Sequence, residues 1–346
     1  MKQTATHKPS FAAIVLKYLV PLAVSAGLCW LLFHDFDFDT MVQLIRSECR
    51  PWWIVAGMAL TGAAHVARAL RWRIQLRALD IDVPLFTLVI SIFGTYAVNL
   101  VLPRLGEIWR VGYIARRGQA SFATVLGSMV ADRLADTLSV LAIAMVALLL
   151  AGHHILEYMR LTGGTAMAVA GALASPWLWA GVAAVAAGVW WVLTYRREWR
   201  WVERTRGVAA RLWQGFAVVV TMPGKGRWLL YTLAIWGCFF AAMYVEFFSF
   251  PFTAGVALGA GPVAVLVTFV LSSLSMGVPS NGGIGPWQWA VMFALGLYAL
   301  PSIEAAAFAN LVMGATVIFN ILLGFFTFSV IALGRRGHRR AITTNR

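Results

Sequence analysis

The chain has 346 residues, of which 60% are hydrophobic and 12% are charged, and its 28 lysines and arginines outnumber its 14 acidic residues. Soluble domains are about 45–50% apolar and about 25% charged, so this composition excludes an ordinary soluble protein and indicates a membrane protein. The cations occupy short loops between apolar runs, which favours a topology-setting role over nucleic-acid binding. The three cysteines are scattered and predict neither a disulfide framework nor a metal site.

Apolar runs that could cross or enter a membrane follow one another along the chain. They lie near residues 13–33, 51–70, 84–102, 121–151, 172–194, 227–250, 262–278, 287–300 and 305–333. The first run is long and has no small-residue cleavage site before Asp35, so we expect a retained helix and not a signal peptide. The sequence therefore predicts an all-α polytopic membrane protein that forms a single domain over residues 1–346.

The loops between these runs predict the orientation. The loop at 34–50 is acidic, whereas arginines cluster at 68–77 and again at 335–340. Basic loops stay on the cytoplasmic side of a membrane. We therefore expect a multi-pass protein of the bacterial inner (cytoplasmic) membrane with both termini in the cytoplasm.

One apolar run in the first half has basic residues on both sides. Arginines at 68–77 precede the run at 84–102, and others at 110–117 follow it. A single full crossing would break the charge rule. A re-entrant hairpin that enters from the cytoplasm, turns near Pro103–Gly106 and returns through residues 107–118 satisfies it.

The second half presents a similar problem with the opposite orientation. The runs at 262–278 and 287–300 must form an even number of passes between two outside points, which a second hairpin entering from outside does most simply. Both hairpin tips contain Pro-x-x-Gly, beginning at Pro103 and at Pro279. Paired breaks of this kind are typical of an inverted repeat with a site at the midplane. The predicted halves are about 1–160 and 172–333.

A basic segment lies between the two halves, at residues 196–226. Arginines alternate there with Trp199, Trp201 and Trp213. This composition predicts a helix in the cytoplasmic interface, bound to anionic head groups. The alternative is a set of topology-setting charges next to an ordinary aromatic belt.

The first half carries the densest group of candidate substrate-binding residues, which share charged side chains near the first break. They are Arg104, Glu107, Arg110, Asp132, Arg133 and Asp136. Asp132 and Asp136 share a helix face because they are four residues apart. Arg104 and Arg133 could bind a lipid phosphate, since a guanidinium offers two parallel donors. The acids could hold a cationic head group, carry a proton or orient the arginines. Alternatively, Glu107 and Asp136 are counter-ions that hold the hairpin to its neighbour.

The second break carries the remaining candidates, which favour close approach of backbone to a ligand. They are Pro279, Asn281, Gly282, Gly283 and Gly285. Glycine permits positive φ, and N–H groups at the start of a half-helix can receive an anion. The alternative is an ordinary turn between two helices. The sequence contains no phosphate-binding loop, His-Glu-x-x-His motif or dinucleotide fingerprint, so we expect neither a cofactor nor a metal.

Three segments together resemble the lysylphosphatidylglycerol synthase transmembrane-domain family. They are Leu102–Arg110, Ala131–Asp136 and Val278–Gly285, in the order and at the distances usual for that family. The resemblance implies the lipid-flippase domain as a stand-alone member, without the cytosolic aminoacyl transferase. Pro286–Gln288 replaces the acidic residue that often follows the glycine motif, so a lysyl lipid is not the predicted substrate.

The sequence and the resemblance together predict a translocase that is not an enzyme. It would move a phospholipid or another lipid with a polar head group between the leaflets of the inner membrane. Its partners would be membrane lipids that are anionic or carry phosphate, with no nucleic acid, and a homo-oligomer is possible. The alternatives are a membrane-embedded lipid head-group transferase and an accessory subunit of an envelope pathway for polyprenyl-linked glycans or hopanoids.

Overall fold

The computed structural model describes residues 38–102, 104–162, 200–278, 280 and 282–344. Within these ranges the chain forms α-helices and one short 3₁₀ turn, Phe247–Ser249, and no strand. The helices are α1 Phe38–Glu48, α2 Pro51–Arg77, α3 Leu85–Val101, α4 Leu105–Arg117, α5 Phe122–Thr162, α6 Arg200–Thr221, α7 Lys225–Glu246, α8 Pro251–Gly259, α9 Pro262–Ser275, α10 Pro286–Gly296 and α11 Ser302–Thr344. The all-α prediction is confirmed. The predicted helices at 13–33 and 172–194 lie outside the described residues.

Four of the described helices are long and apolar enough to cross a membrane. These segments are Pro51–Arg77, Phe122–Gly152, Lys225–Ser249 and Ser302–Leu333. Much of their surface is apolar and exposed, as at Leu141 and Leu149 of α5. An exposed apolar surface of this extent suits hydrocarbon and not water. The prediction of a multi-pass membrane protein is confirmed.

Helices α3 and α4 form a helical hairpin around the first predicted break. They contain 17 and 13 residues, or about 26 Å and about 20 Å of helix, which is less than a bilayer core of about 30 Å. The ring of Trp109 on α4 lies against Gly94 of α3, and nearer the tip Gly106 lies against Thr95 and Asn99. This pairing is antiparallel. Entry of the hairpin from the cytoplasmic side stays a prediction.

The second break separates α9 from α10, which also pack against each other. With 14 and 11 residues, both are too short to cross a bilayer alone. The structure adds a helix, α8, at residues that none of the predicted runs covers. Helix α8 meets α9 at a bend of 111°. Gly261 turns the chain there with φ 72°, and Pro262 starts α9. Entry of this hairpin from outside stays a prediction.

Helix α6 covers much of the predicted basic segment and packs along the first turns of α5. The contact is close because Gly127 faces the backbone of Leu212, and Gly215 faces that of Thr124. A side chain at either glycine would collide with that backbone. The helix is therefore as predicted, and its place in the cytoplasmic interface stays a prediction.

The packing order brings together helices that are distant in sequence. Helix α2 packs along α7, and α3 packs along α11. A core of aromatic and aliphatic side chains joins α7, α9, α10 and α11, with Phe247, Phe308 and Leu295 fully buried. The first hairpin packs on α2 and α5 around Trp72 and Val111. Helix α9 also packs on α5, so each hairpin contacts one long helix of the opposite half as well as long helices of its own half.

Candidate functional site

A buried arginine of α2 joins two carboxylates of α5. Arg71 Nε donates to Asp132 Oδ1 at 2.9 Å, and its Nη2 donates to Asp136 Oδ1 at 2.6 Å. Arg71 and Asp132 have no exposed surface, and Asp136 is 8% exposed. The two acids reach the same guanidinium because they lie one turn apart on α5. Their predicted shared face is confirmed.

Three further charged residues complete this group, which we call the arginine–carboxylate cluster. Its members are Arg68, Arg71, Glu107, Asp132, Arg133 and Asp136. Arg68 Nη2 lies 3.3 Å from Asp136 Oδ2, and Arg68 also donates to the Tyr96 hydroxyl. Arg133 bridges Glu107 at 3.3 Å and Asp136 at 3.7 Å. Three cations thus face three anions, so the cluster is electrically balanced.

The cluster holds α2, α4 and α5 together. Breaking a buried ion pair by removing one partner costs about 3–5 kcal/mol, because the other charge is left unpaired. The counter-ion interpretation of Asp136 and Glu107 therefore describes one real role of these residues. It does not exclude a second role on the side where the cluster is open.

The open side lies at Glu107 and Arg133. The Glu107 side chain is 22% exposed and that of Arg133 is 35% exposed, whereas the Arg71 pairs are closed. Asn99 Nδ2 donates to Glu107 at 3.3 Å, and the Gly106 N–H donates to Asn99 Oδ1 at 2.8 Å. These contacts connect the tip of the first hairpin to Arg133. A polar ligand could reach the cluster from this side.

Arg110 lies beside the cluster and forms no ion pair with any residue that the structure describes. It is 1% exposed, and its guanidinium carbon stands 3.9 Å from the centroid of a Trp72 ring. Its Nε and Nη2 have no hydrogen-bond partner. A buried cation is costly unless it is paired, and a cation–π contact offsets part of that cost, by about 2 kcal/mol. Arg110 is therefore a buried cation whose charge an anion could balance.

The two hairpin tips touch each other. Arg104 Nη2 donates to the carbonyl oxygen of Gly277 at 2.9 Å, and Leu100 lies against Gly282. Arg104 is exposed and adopts φ 60° at the residue preceding α4. Within the described part of the chain it joins none of the cluster's ion pairs. Joint binding of a phosphate by Arg104 and Arg133 stays a prediction.

At the second tip, Gly282, Gly283 and Gly285 all adopt positive φ. The predicted residues Pro279 and Asn281 lie outside the described residues. The Gly285 N–H donates to Gln288 Oε1 at 2.8 Å, so this amide is already occupied. Gln288 Nε2 in turn donates to Asn310 Oδ1 at 2.5 Å. Gln288 therefore fixes the start of α10 against α11, as expected for an interhelical amide.

Sequence reasoning treated Arg68 and Arg71 as topology-setting charges and missed their place in the cluster. Together with Gln75 they recur at intervals of three and four, which puts all of them on one face of α2. Charges that only set topology need no common face. Glu246 was also missed. It is 4% exposed on α7 and lies against Gly57 of α2.

The described residues bring together no group of three or more His, Cys, Asp or Glu side chains suited to a metal ion. The cluster is instead rich in arginine, whose guanidinium matches phosphate and carboxylate oxygens. What the arrangement can do chemically is bind and screen an anionic group in an apolar surrounding.

Fold and site define a polytopic α-helical membrane protein with a buried arginine-rich polar centre where α2, α4 and α5 meet. A family model described as the lysylphosphatidylglycerol synthase TM region matches residues 18–324. The chain therefore belongs to this family of lipid-related membrane domains. Neither a curated protein nor a solved structure gives a significant match.

Proposed function

We propose that this protein is a translocase that moves a phosphate-bearing lipid between the leaflets of the bacterial inner membrane, with both termini in the cytoplasm, and leaves the lipid chemically unchanged. The observation that carries the proposal is Arg110, a buried guanidinium that forms no ion pair among the described residues, next to a cluster whose charges otherwise balance. An anionic head group would supply the missing charge.

We propose that the head group approaches through the tips. It would meet exposed Arg104 first, then Arg133, whose side chain is 35% exposed, and finally buried Arg110. A charge at the bilayer centre costs at least about 2.5–3.5 kcal/mol even on lenient scales. Charge-assisted hydrogen bonds from arginine to phosphate are strong enough to offset such a cost. The acyl chains would stay in the hydrocarbon throughout.

In the resting state of the proposed translocase, Arg104 contacts Gly277 and the two tips stay together. The donor that would first meet a phosphate is occupied by the opposite tip. A phosphate is a stronger acceptor than a carbonyl, because it is charged. Binding would therefore exchange the tip-to-tip contact for a tip-to-lipid contact, and the tips would separate.

Leaflet exchange of a fluorescent anionic phospholipid in proteoliposomes tests the proposal. We expect rapid exchange with the wild type and loss of exchange with folded Arg104→Ala and Asp136→Asn. Arg77→Ala is a matched control, because Arg77 is an exposed arginine whose ion pair in the described part of the chain is with exposed Asp82, at 3.1 Å. Exchange by the control but by neither Arg104→Ala nor Asp136→Asn would support the translocase.

Lipid analysis of the same vesicles tests the rival function, a head-group transferase that uses the partly exposed Glu107 as a base. Translocation leaves the lipid composition unchanged, whereas transfer produces a lipid of new mass. A new lipid mass, or no exchange across several head groups, would contradict the translocase. If no lipid is exchanged and no new lipid mass appears, the accessory-subunit alternative would remain.

A further inference from the structure

A groove of about 460 Å³ runs along the outer face of α4, on the other side of that helix from Arg110. Its lining residues are Ile108, Trp109, Gly112, Tyr113, Arg116, Arg117 and Ile331. The buried face of α4 carries Gly106, Arg110 and Val111 instead. The groove is therefore separate from the arginine–carboxylate cluster, and its volume lies in the range typical of small-molecule sites.

Aromatic and aliphatic side chains form one part of the groove wall, and polar groups form the rest. Trp109 and Tyr113 stack with ring centroids 5.4 Å apart, and Phe328 of α11 meets Trp109 edge-on at 5.7 Å. Gly112 lines the groove beside these rings and adds no side chain to it. Ile331 closes the opposite wall. Such a surface fits a hydrocarbon chain, and tryptophan and tyrosine are typical of the head-group level of a membrane.

One end of the groove is positively charged. Arg116 and Arg117 are both exposed, and neither forms an ion pair in the described part of the chain. Arg117 lies over the Tyr113 ring at 5.5 Å, so its guanidinium points along the groove wall. The carbonyls of Ile114 and Ala115 already accept hydrogen bonds from Gly118 and Ala120, which reduces their repulsion of an anion. An apolar cleft that ends in two free arginines complements an anionic amphiphile.

We propose that this groove binds one anionic phospholipid of the surrounding bilayer as a resident, non-transported lipid. Its phosphate would contact Arg116 and Arg117, and one acyl chain would lie along Ile108, Trp109 and Ile331. Because Trp109 contacts both Gly94 of α3 and Phe328 of α11, the lipid would fasten the first hairpin to the last helix. The proposal does not depend on translocation.

The resident-lipid proposal can be tested by native mass spectrometry. The detergent-purified full chain is titrated with phosphatidylglycerol or phosphatidylcholine. We expect one tightly retained phosphatidylglycerol and no equivalent phosphatidylcholine. Arg116→Gln with Arg117→Gln should weaken that retention at least about tenfold, since each basic residue near a membrane surface contributes about 1 kcal/mol to binding of anionic lipid and about 1.4 kcal/mol is tenfold. As a control, Lys225→Gln with Arg227→Gln removes the same amount of charge from exposed positions and should leave the retention of phosphatidylglycerol unchanged.

A second pair of variants fills the groove without removing charge. Gly112→Leu should displace the lipid, whereas Gly112→Ala should keep it, because a Cβ at this position meets Phe122 only at 3.9 Å. Retention should also survive Arg110→Met, which separates this site from the proposed transport site. Equal loss in the arginine pair and its control, full retention by Gly112→Leu, or displacement by soluble glycerophosphate would each overturn the proposal.

Discussion

The guanidinium of Arg104 and the carbonyl oxygen of Gly277 lie 2.9 Å apart, although 173 residues separate them in the chain. The contact joins the tips of two broken helical segments from opposite halves of the sequence. Leu100 and Gly282 meet beside it. Four consequences of this geometry and of the cluster behind it can be measured.

Linking the two tips covalently should stop leaflet exchange. The Leu100 Cγ lies 4.0 Å from the position of a Cβ at Gly282, so Leu100→Cys with Gly282→Cys brings two thiols within disulfide reach. In a background without Cys29, Cys49 and Cys238, we expect mild oxidant to form the bond and abolish exchange, and reductant to restore it. Each single-cysteine variant should be insensitive to oxidant. Undiminished exchange in the oxidised double variant would show that the tips need not part.

Removing Arg71 should destabilise the protein far more than removing an exposed arginine. Arg71→Ala leaves Asp132 and Asp136 buried with one cation fewer, a loss of about 3–5 kcal/mol in the free energy of unfolding. Arg77→Ala should cost about 0–1 kcal/mol, because its ion pair is exposed. Unfolding of the detergent-purified variants measures both. Adding Asp132→Asn to Arg71→Ala should recover part of the loss, and the absence of any recovery would contradict the paired-charge account.

Arg110 should behave in the opposite way. Its guanidinium forms no ion pair within the described ranges, so Arg110→Met removes an unpaired buried charge and costs little stability, within about 2 kcal/mol. Exchange should nevertheless be lost, and Arg110→Lys should keep some of it because the charge remains. Unfolding and exchange measured on the same preparations separate the two effects. A strongly destabilised Arg110→Met with normal exchange per folded molecule would assign Arg110 a purely structural role.

The first hairpin should tolerate no side chain at Gly106. A Cβ there would overlap the backbone oxygen of Thr95 and approach Asn99 Oδ1 to 2.7 Å, so α4 would have to move away from α3. We expect Gly106→Ala to cost about 1–3 kcal/mol in stability and to reduce exchange. Gly112→Ala on the same helix is the matched control, since it meets only ordinary contact with Phe122. Equal stability of the two variants would argue against tight packing in the hairpin.

Much of the fold was predictable from the sequence because hydrocarbon solvent imposes one rule, that backbone polar groups must be satisfied within helices. The apolar runs at 51–70 and 121–151 fall inside α2 and α5. The charge rule also predicted a hairpin at the positions of α3 and α4, and these two helices do pack antiparallel, while their path through the membrane stays a prediction. The bend at Gly261 was missed, although Gly261 followed by Pro262 is a typical helix break.

The site was predictable in its carboxylates and less so in its arginines. Asp132 and Asp136 are unusual in an apolar run, and their spacing of four fixed a common face. Arg71 lies near the end of a helix, where a snorkelling and a buried arginine look the same in sequence. Only the packing of α2 against α5 decides between them. Gln288, by contrast, has a local signal that was missed, because it stands three residues after Gly285 and follows Pro286, the spacing of a capping box.

The interleaved packing of the helices restricts how this protein can move. Helix α2 lies along α7 and α3 lies along α11, so long packing interfaces join the two halves of the sequence. Rocking of two rigid halves, as in many transporters with inverted repeats, would shear both of these long interfaces at once. We therefore expect any opening to be local. The two hairpin tips, at Arg104 and Gly277, would part while the long helices around them keep their positions.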